Sequence, residues 1–199
     1  MTAPRTLREM AGAPATPPRL TDAVVVLIDA QREYVDGKLP LAGVNEALDH
    51  IADVLARARA AGAPVIHIQH RGGAGGAFDP AGAGFKFAGA AAPITGERVI
   101  EKPQPNAFAD TELAEAIAET GSRQLVLAGF MTHMCVSTTA RAALDHGLAV
   151  TVVADACATR DLPDPTGGAP IPAAELHRVA LAELADRFAI ICRAADLKR

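Results

Sequence analysis

One stretch constrains this chain more than any other: between Gln124 and Arg141 it reads QLVLAGFMTHMCVSTTAR. Gln124 to Gly129 is short, apolar and rich in Val and Leu, the composition of a strand covered on both faces. From Cys135 onward, Val136, Ala140, Ala143 and Leu144 recur at helical spacing, and Gly147 stands where a left-handed C-terminal cap belongs. The residues between must turn sharply. Cys135 is therefore expected in the first turn of a helix, where unpaired N–H groups and the helix dipole favour an anion and lower a thiol pKa. A cysteine is more often a small buried apolar side chain, so its partners decide its role.

The same alternation runs through the chain. Ala23 to Ile28 (AVVVLI) is a β-branched run followed directly by Asp29. Asn45 to Ala61 carries Leu48, Ile51, Leu55 and Ala58 on one helical face, with Gly62 to stop it. Pro64 to His70 reads as a second strand, Glu97 to Glu101 as a third that ends at Lys102, and Asp110 as the cap of a helix through Glu119. Leu148 to Ala154 makes strand five, with Asp155 and Cys157 beyond it. A helix starts near Pro172, and Phe188 to Cys192 makes the last strand. Strands alternating with helices imply a doubly wound, Rossmann-like α/β domain: a six-stranded parallel sheet with helices on both faces. Ligands bind such sheets outside the carboxyl ends of the strands, where strand order reverses. Asp29, Lys102 and Cys135 each lie at such an end. No Gly-x-Gly-x-x-Gly follows strand one, which excludes a dinucleotide-binding protein.

The 199 residues fit one domain, expected over 21–199, behind an extended arm over 1–20 that carries four prolines. A formal charge of −4 without a basic block points away from nucleic acid and anionic membranes and toward a small-molecule partner. Three scattered cysteines, no apolar run of membrane-spanning length and no signal-peptide core lead to a reduced, cytoplasmic, soluble protein as the expectation. Two irregular connections, Arg71 to Gly96 with eight glycines and Arg160 to Pro172, are candidate pocket walls. Gln31 and Tyr34, just past Asp29, and His70, Phe130 and His133 are candidate substrate contacts.

GFMTHMCVSTTARAALDHG resembles the signature of the isochorismatase-like cysteine hydrolases, in which Gly-x-x-Thr-x-x-Cys-Val-x-x-Thr carries the nucleophile. The similarity extends from about Ala23 to the end. It implies a triad of Asp29, Lys102 and Cys135, and an oxyanion hole from the backbone N–H groups of Met131 and Cys135. It also implies a non-proline cis peptide at Phe130–Met131 and assembly as a homodimer or homotetramer. The expected reaction is hydrolysis of a C–N bond (amide, carbamoyl, imide or lactam) through a Cys135 thioester, with no cofactor. Nicotinamidases of the superfamily hold a metal through an Asp-x-His pair and a later His. This chain has no Asp-x-His after strand two, and His67 and His70, three apart in a strand, face opposite sides, so no metal is expected. Two other readings remain open: an isochorismatase cleaving a vinyl ether with Asp29 as acid, for which Cys135 is dispensable, and a non-catalytic thiol sensor or binding protein on the same fold.

Overall fold

In the computed structural model, which describes residues 3–199, each apolar run forms a strand of one sheet. The strands are β1 (Ala23–Ile28), β2 (Val65–His70), β3 (Arg98–Lys102), β4 (Gln124–Phe130), β5 (Ala149–Ala158) and β6 (Ala189–Cys192). Their order is β3-β2-β1-β4-β5-β6, and every neighbouring pair is parallel. The order reverses between β1 and β4. The helices are α1 (Leu7–Met10), α2 (Val44–Ala61), α3 (Leu113–Glu119), α4 (Ser137–Asp145) and α5 (Ala173–Arg187).

Continuous hydrophobicity in β1 follows from burial on two sides. Val25 and Leu27 pack with Ile51, Val54 and Leu55 of α2, whereas Val24, Val26 and Ile28 pack with Leu113 and Ile117 of α3, Ala140 and Ala143 of α4 and Leu184 of α5. Period-two alternation of the side chains assigns each residue its face. Gly62 ends α2 with φ of 70°, a left-handed conformation that costs glycine little.

Several boundaries differ from the sequence reading. β5 runs to Ala158 rather than stopping at Ala154, because a register shift between Leu127 and Gly129 lets Gly129 pair with Cys157 and Phe130 with Ala158. Asp155 and Cys157 are thus strand residues. The Asp155 carboxylate is held by the Ala194 amide at 2.8 Å, which is why a charge is tolerated there. Asp110 does not cap α3: it has φ of 57°, and the helix begins at Leu113 without a side-chain cap. Phe188 closes α5 instead of opening β6, its amide bonding to the Leu184 carbonyl. The arm is not wholly extended. Thr6 and Glu9 form a capping box that nucleates α1, and the Leu7 amide donates to Asp186 of the chain's own α5.

Candidate active site

Sheet register decides which side chains meet. His70 and Lys102 are partners across β2 and β3, so they project to one face, the face that Ile68 and Ile100 share with Cys135 and Val136. Asp29 follows β1, two strands in from the edge, and its left-handed φ of 48° turns the chain out of the sheet. Beside it, Gly129 of β4 passes so close to β1 that a Cβ would stand 2.0 Å from the Ile28 carbonyl oxygen, and its φ is 114°. Only glycine fits there.

After β4 the Phe130–Met131 peptide is cis, and Thr132–Val136 forms one π-helical turn before α4. The Val136 amide donates to the Met131 carbonyl at 3.2 Å. Cys135 therefore sits in this wide turn and not in the first turn of α4, where the sequence placed it. π-turns inserted at a helix start re-aim side chains at functional sites.

Three groups converge. Lys102 Nζ lies 2.8 Å from Asp29 Oδ2 and 3.3 Å from Cys135 Sγ, and it also donates to the Gln104 carbonyl at 3.0 Å. Asp29 and Lys102 are completely buried and Cys135 is 5% exposed. Lys102 and Asp29 form a buried ion pair, and a carboxylate carries enough lone pairs to accept a proton while it holds the ammonium. Burial raises the Asp29 pKa, with Lys102 opposing, and this makes the carboxylate a stronger base than an exposed one. The Cys135 thiol is pushed up to about 12, first by burial and then by the Asp29 charge, against which Lys102 pulls. The expectation of a helix-lowered thiol pKa is thereby corrected: the shift is upward, with desolvation its largest cause. At rest the thiol is neutral.

His70 belongs to the cluster, its Nδ1 3.2 Å from Lys102 Nζ. An ammonium only donates, so Nδ1 accepts and the ring proton resides on Nε2. Burial and the Lys102 charge lower its pKa to about 4, so the imidazole is neutral at physiological pH. Tyr34 packs edge-on against Phe78 and Phe130, and its phenol pKa is raised by burial and then by Asp29. Gln31 is completely buried beside Asp29. Its buried side-chain amide donates to the His70 and Phe85 carbonyls and accepts from the His70 amide, tying β2 to the glycine-rich loop. His133 turns its Nδ1 to the Thr159 hydroxyl at 2.5 Å, and burial and Arg160 lower its pKa.

Three residues escaped sequence reasoning. Phe78, with φ of 56°, sets its ring edge against both Tyr34 and His70 at 5.0 Å. Glu33 lies beneath the same loop with 4% exposure. Arg160 makes no salt bridge among the described residues. Its Nε is buried without a partner, Nη1 reaches only the Asp161 carbonyl at 3.4 Å, and its charge acts on Tyr34 and His133. Among the described residues, no three His, Cys, Asp or Glu side chains are grouped to hold a metal ion, and no helix is long and apolar enough to cross a membrane.

The isochorismatase domain model matches residues 23–196. The chain is 39% identical over 198 residues to the secreted isochorismatase effector Isc1 of Verticillium dahliae, covering 96% of this chain and 97% of that one. It is 36% identical over 172 residues to a streptothricin hydrolase of Streptomyces noursei, covering 86% and 68% of the two chains. The crystal structure of an isochorismatase from Pseudomonas putida superposes with a TM-score of 0.94 at 45% identity, covering 98% of this chain and all of that one. With Asp29, Lys102 and Cys135 gathered at the switch point of the matching fold, the chain belongs to the isochorismatase family, as a hydrolase with the Cys-Lys-Asp triad of cysteine amidohydrolases.

Proposed function

We propose that the protein hydrolyses a C–N bond in a small amide, carbamoyl, imide or lactam compound that also carries an acidic group. The observation that carries the reaction type is Lys102 Nζ standing 2.8 Å from Asp29 and 3.3 Å from Cys135 in a buried cluster. Asp29 takes the thiol proton as Sγ bonds to the carbonyl carbon, and Lys102 stabilises the negative charge that passes between them. The amides of Met131 and Cys135 receive the oxyanion; the Met131 amide has no hydrogen-bond acceptor among the described residues, which supports that role. Asp29 returns its proton to the leaving nitrogen as the C–N bond breaks and a thioester remains. It then takes a proton from water as the water oxygen bonds to the thioester carbon, and returns that proton to Sγ as the C–S bond breaks, releasing the acid and restoring the thiol and the carboxylate. His70, neutral and bearing its proton on Nε2, donates to the substrate.

The acidic group is inferred from Arg160, whose unpartnered Nε and unpaired charge suit a carboxylate or comparable anion. A screen of small amides for ammonia or amine release tests the whole reading. Acidic substrates should be preferred, and Arg160→Met should raise their KM about 10- to 100-fold, the scale of a lost charged hydrogen bond, while sparing neutral analogues. Turnover retained in Cys135→Ala would sink it. The isochorismatase named in the 39% identical relative favours a second reading, vinyl-ether cleavage with Asp29 as acid, which Cys135→Ala would leave intact. Three free cysteines fit a reducing cytoplasmic setting, and half-exposed Met134 and Val179 suit burial between copies in a homodimer or homotetramer.

A further inference from the structure

The geometry points to Glu33 as a positioning residue that, through Phe78, sets how large a group reaches Cys135. The inference deepens the proposed reading, since it concerns the pocket of the same nucleophile, but its test needs no substrate. Phe78 is the one bulky side chain in the run from Gly72 to Phe78, GGAGGAF, and it is buried. Its ring meets Tyr34 on one side and His70 on the other, each at 5.0 Å, and His70 touches Lys102. The ring is thus one side chain removed from the triad, and it closes the aromatic wall begun by Phe130 and Tyr34.

Nothing in the loop's own sequence holds this ring in place, because glycines supply no packing and Phe78 itself occupies a left-handed conformation that a bulky residue rarely adopts. One backbone bond within the loop and one side chain from outside it restrain the residue. The Phe78 carbonyl accepts from the Gly72 amide at 2.9 Å, and its amide donates to Glu33 Oε2 at 3.4 Å. Glu33 is buried and makes no salt bridge among the described residues. Its other oxygen accepts from the Lys38 amide at 2.7 Å, and Gly84 packs so tightly on it that a Cβ would stand 1.9 Å from Oε2. Lys38 Nζ, from the same segment, holds the Gly75 and Gly76 carbonyls at 2.6 and 3.2 Å. A buried carboxylate held only by backbone amides is costly to keep in a fold. Here it fastens the loop at the residue whose ring faces the site.

Access to Cys135 is read by alkylation with a small reagent, iodoacetamide, and a bulky one, N-phenylmaleimide, with peptide mass analysis of Cys135, Cys157 and Cys192 in the same digest. In Glu33→Gln the Phe78 amide faces an amide group, and in Phe78→Ala the wall is gone. Both variants should raise the bulky-to-small rate ratio at Cys135 by about three- to tenfold or more, the factor one hydrogen bond is worth, with Cys157 and Cys192 unchanged. An unchanged ratio in Phe78→Ala would show that Phe78 is not the wall. A ratio in Glu33→Gln equal to wild type, or a rise at all three cysteines together, would assign Glu33 to fold stability and overturn its positioning role. Should Glu33→Gln not fold, Glu33→Asp, which withdraws the carboxylate by one methylene, is read by the same ratio with the same two outcomes.

Discussion

Replacing Lys102 by Met leaves Asp29 as an unpaired carboxylate in a site where both side chains are fully buried. Breaking a buried pair by removing one partner costs about 3–5 kcal/mol, and a chain of this size loses about 2–4 °C per kcal/mol, so Tm should fall by about 6–20 °C near neutral pH. The deficit must depend on pH, and the sign follows from Asp29. Burial already raises its pKa, and without Lys102 the chief opposing influence is gone, so the variant's carboxyl rises further. A carboxyl whose folded pKa exceeds its unfolded value binds its proton more tightly when folded. Stability withheld at high pH is then returned as pH falls through the raised folded pKa toward the ordinary carboxylate value. The Tm difference between wild type and Lys102→Met should therefore be largest at pH 8 and shrink toward pH 5. Adding Asp29→Asn removes the orphaned charge, and the double variant should regain most of the loss at pH 8 while remaining inactive. Scanning calorimetry of the three proteins between pH 5 and 8 decides the matter. A deficit independent of pH, or a double variant no more stable than the single one, would refute the account of Asp29 and Lys102 as a mutually dependent buried pair.

Two further outcomes follow from the same geometry. Because the Cys135 thiol is pushed up to about 12, its iodoacetamide alkylation in the free protein should rise about tenfold per pH unit from pH 7 to pH 9, where an exposed thiol of pKa about 8.5 begins to level off. A plateau below pH 8 would mean a thiolate already formed at rest. Gly129→Ala would drive a methyl into the Ile28 carbonyl, 2.0 Å from the new Cβ, at a left-handed position of a central strand. It should yield protein that is insoluble or destabilised by about 3 kcal/mol or more in urea unfolding, and native-like stability would show that β1 and β4 can separate there.

The sequence by itself determined the secondary elements and the candidates. Apolar runs of strand length alternate with helical periodicity, and both signals are local, so β1, β2, β4 and α2 could be read from neighbours in the chain. Asp29 stood out because a charge directly follows the apolar run of β1, and Lys102 and Cys135 because the motif around Cys135 resembles a family whose triad implies them. Where local patterns conflicted with distant partners, the reading failed: β5 runs on through Asp155 because the Ala194 amide satisfies the carboxylate, and that amide is 39 residues away. Strand order alone decided that the three candidates meet. β3 lies two strand spacings, about 10 Å, from β1, and Lys102 serves Asp29 because its long side chain leaves the edge on the face that register shares with His70. Tertiary structure also reversed the thiol. A helix start argued for a lowered pKa, but the magnitude belongs to desolvation by the surrounding fold and to the Asp29 charge, neither of which a linear pattern contains. The pocket wall was invisible for the same reason: a glycine-rich loop has no period to read, and the Phe78 amide meets Glu33, 45 residues earlier, through a contact that exists only once the chain has folded.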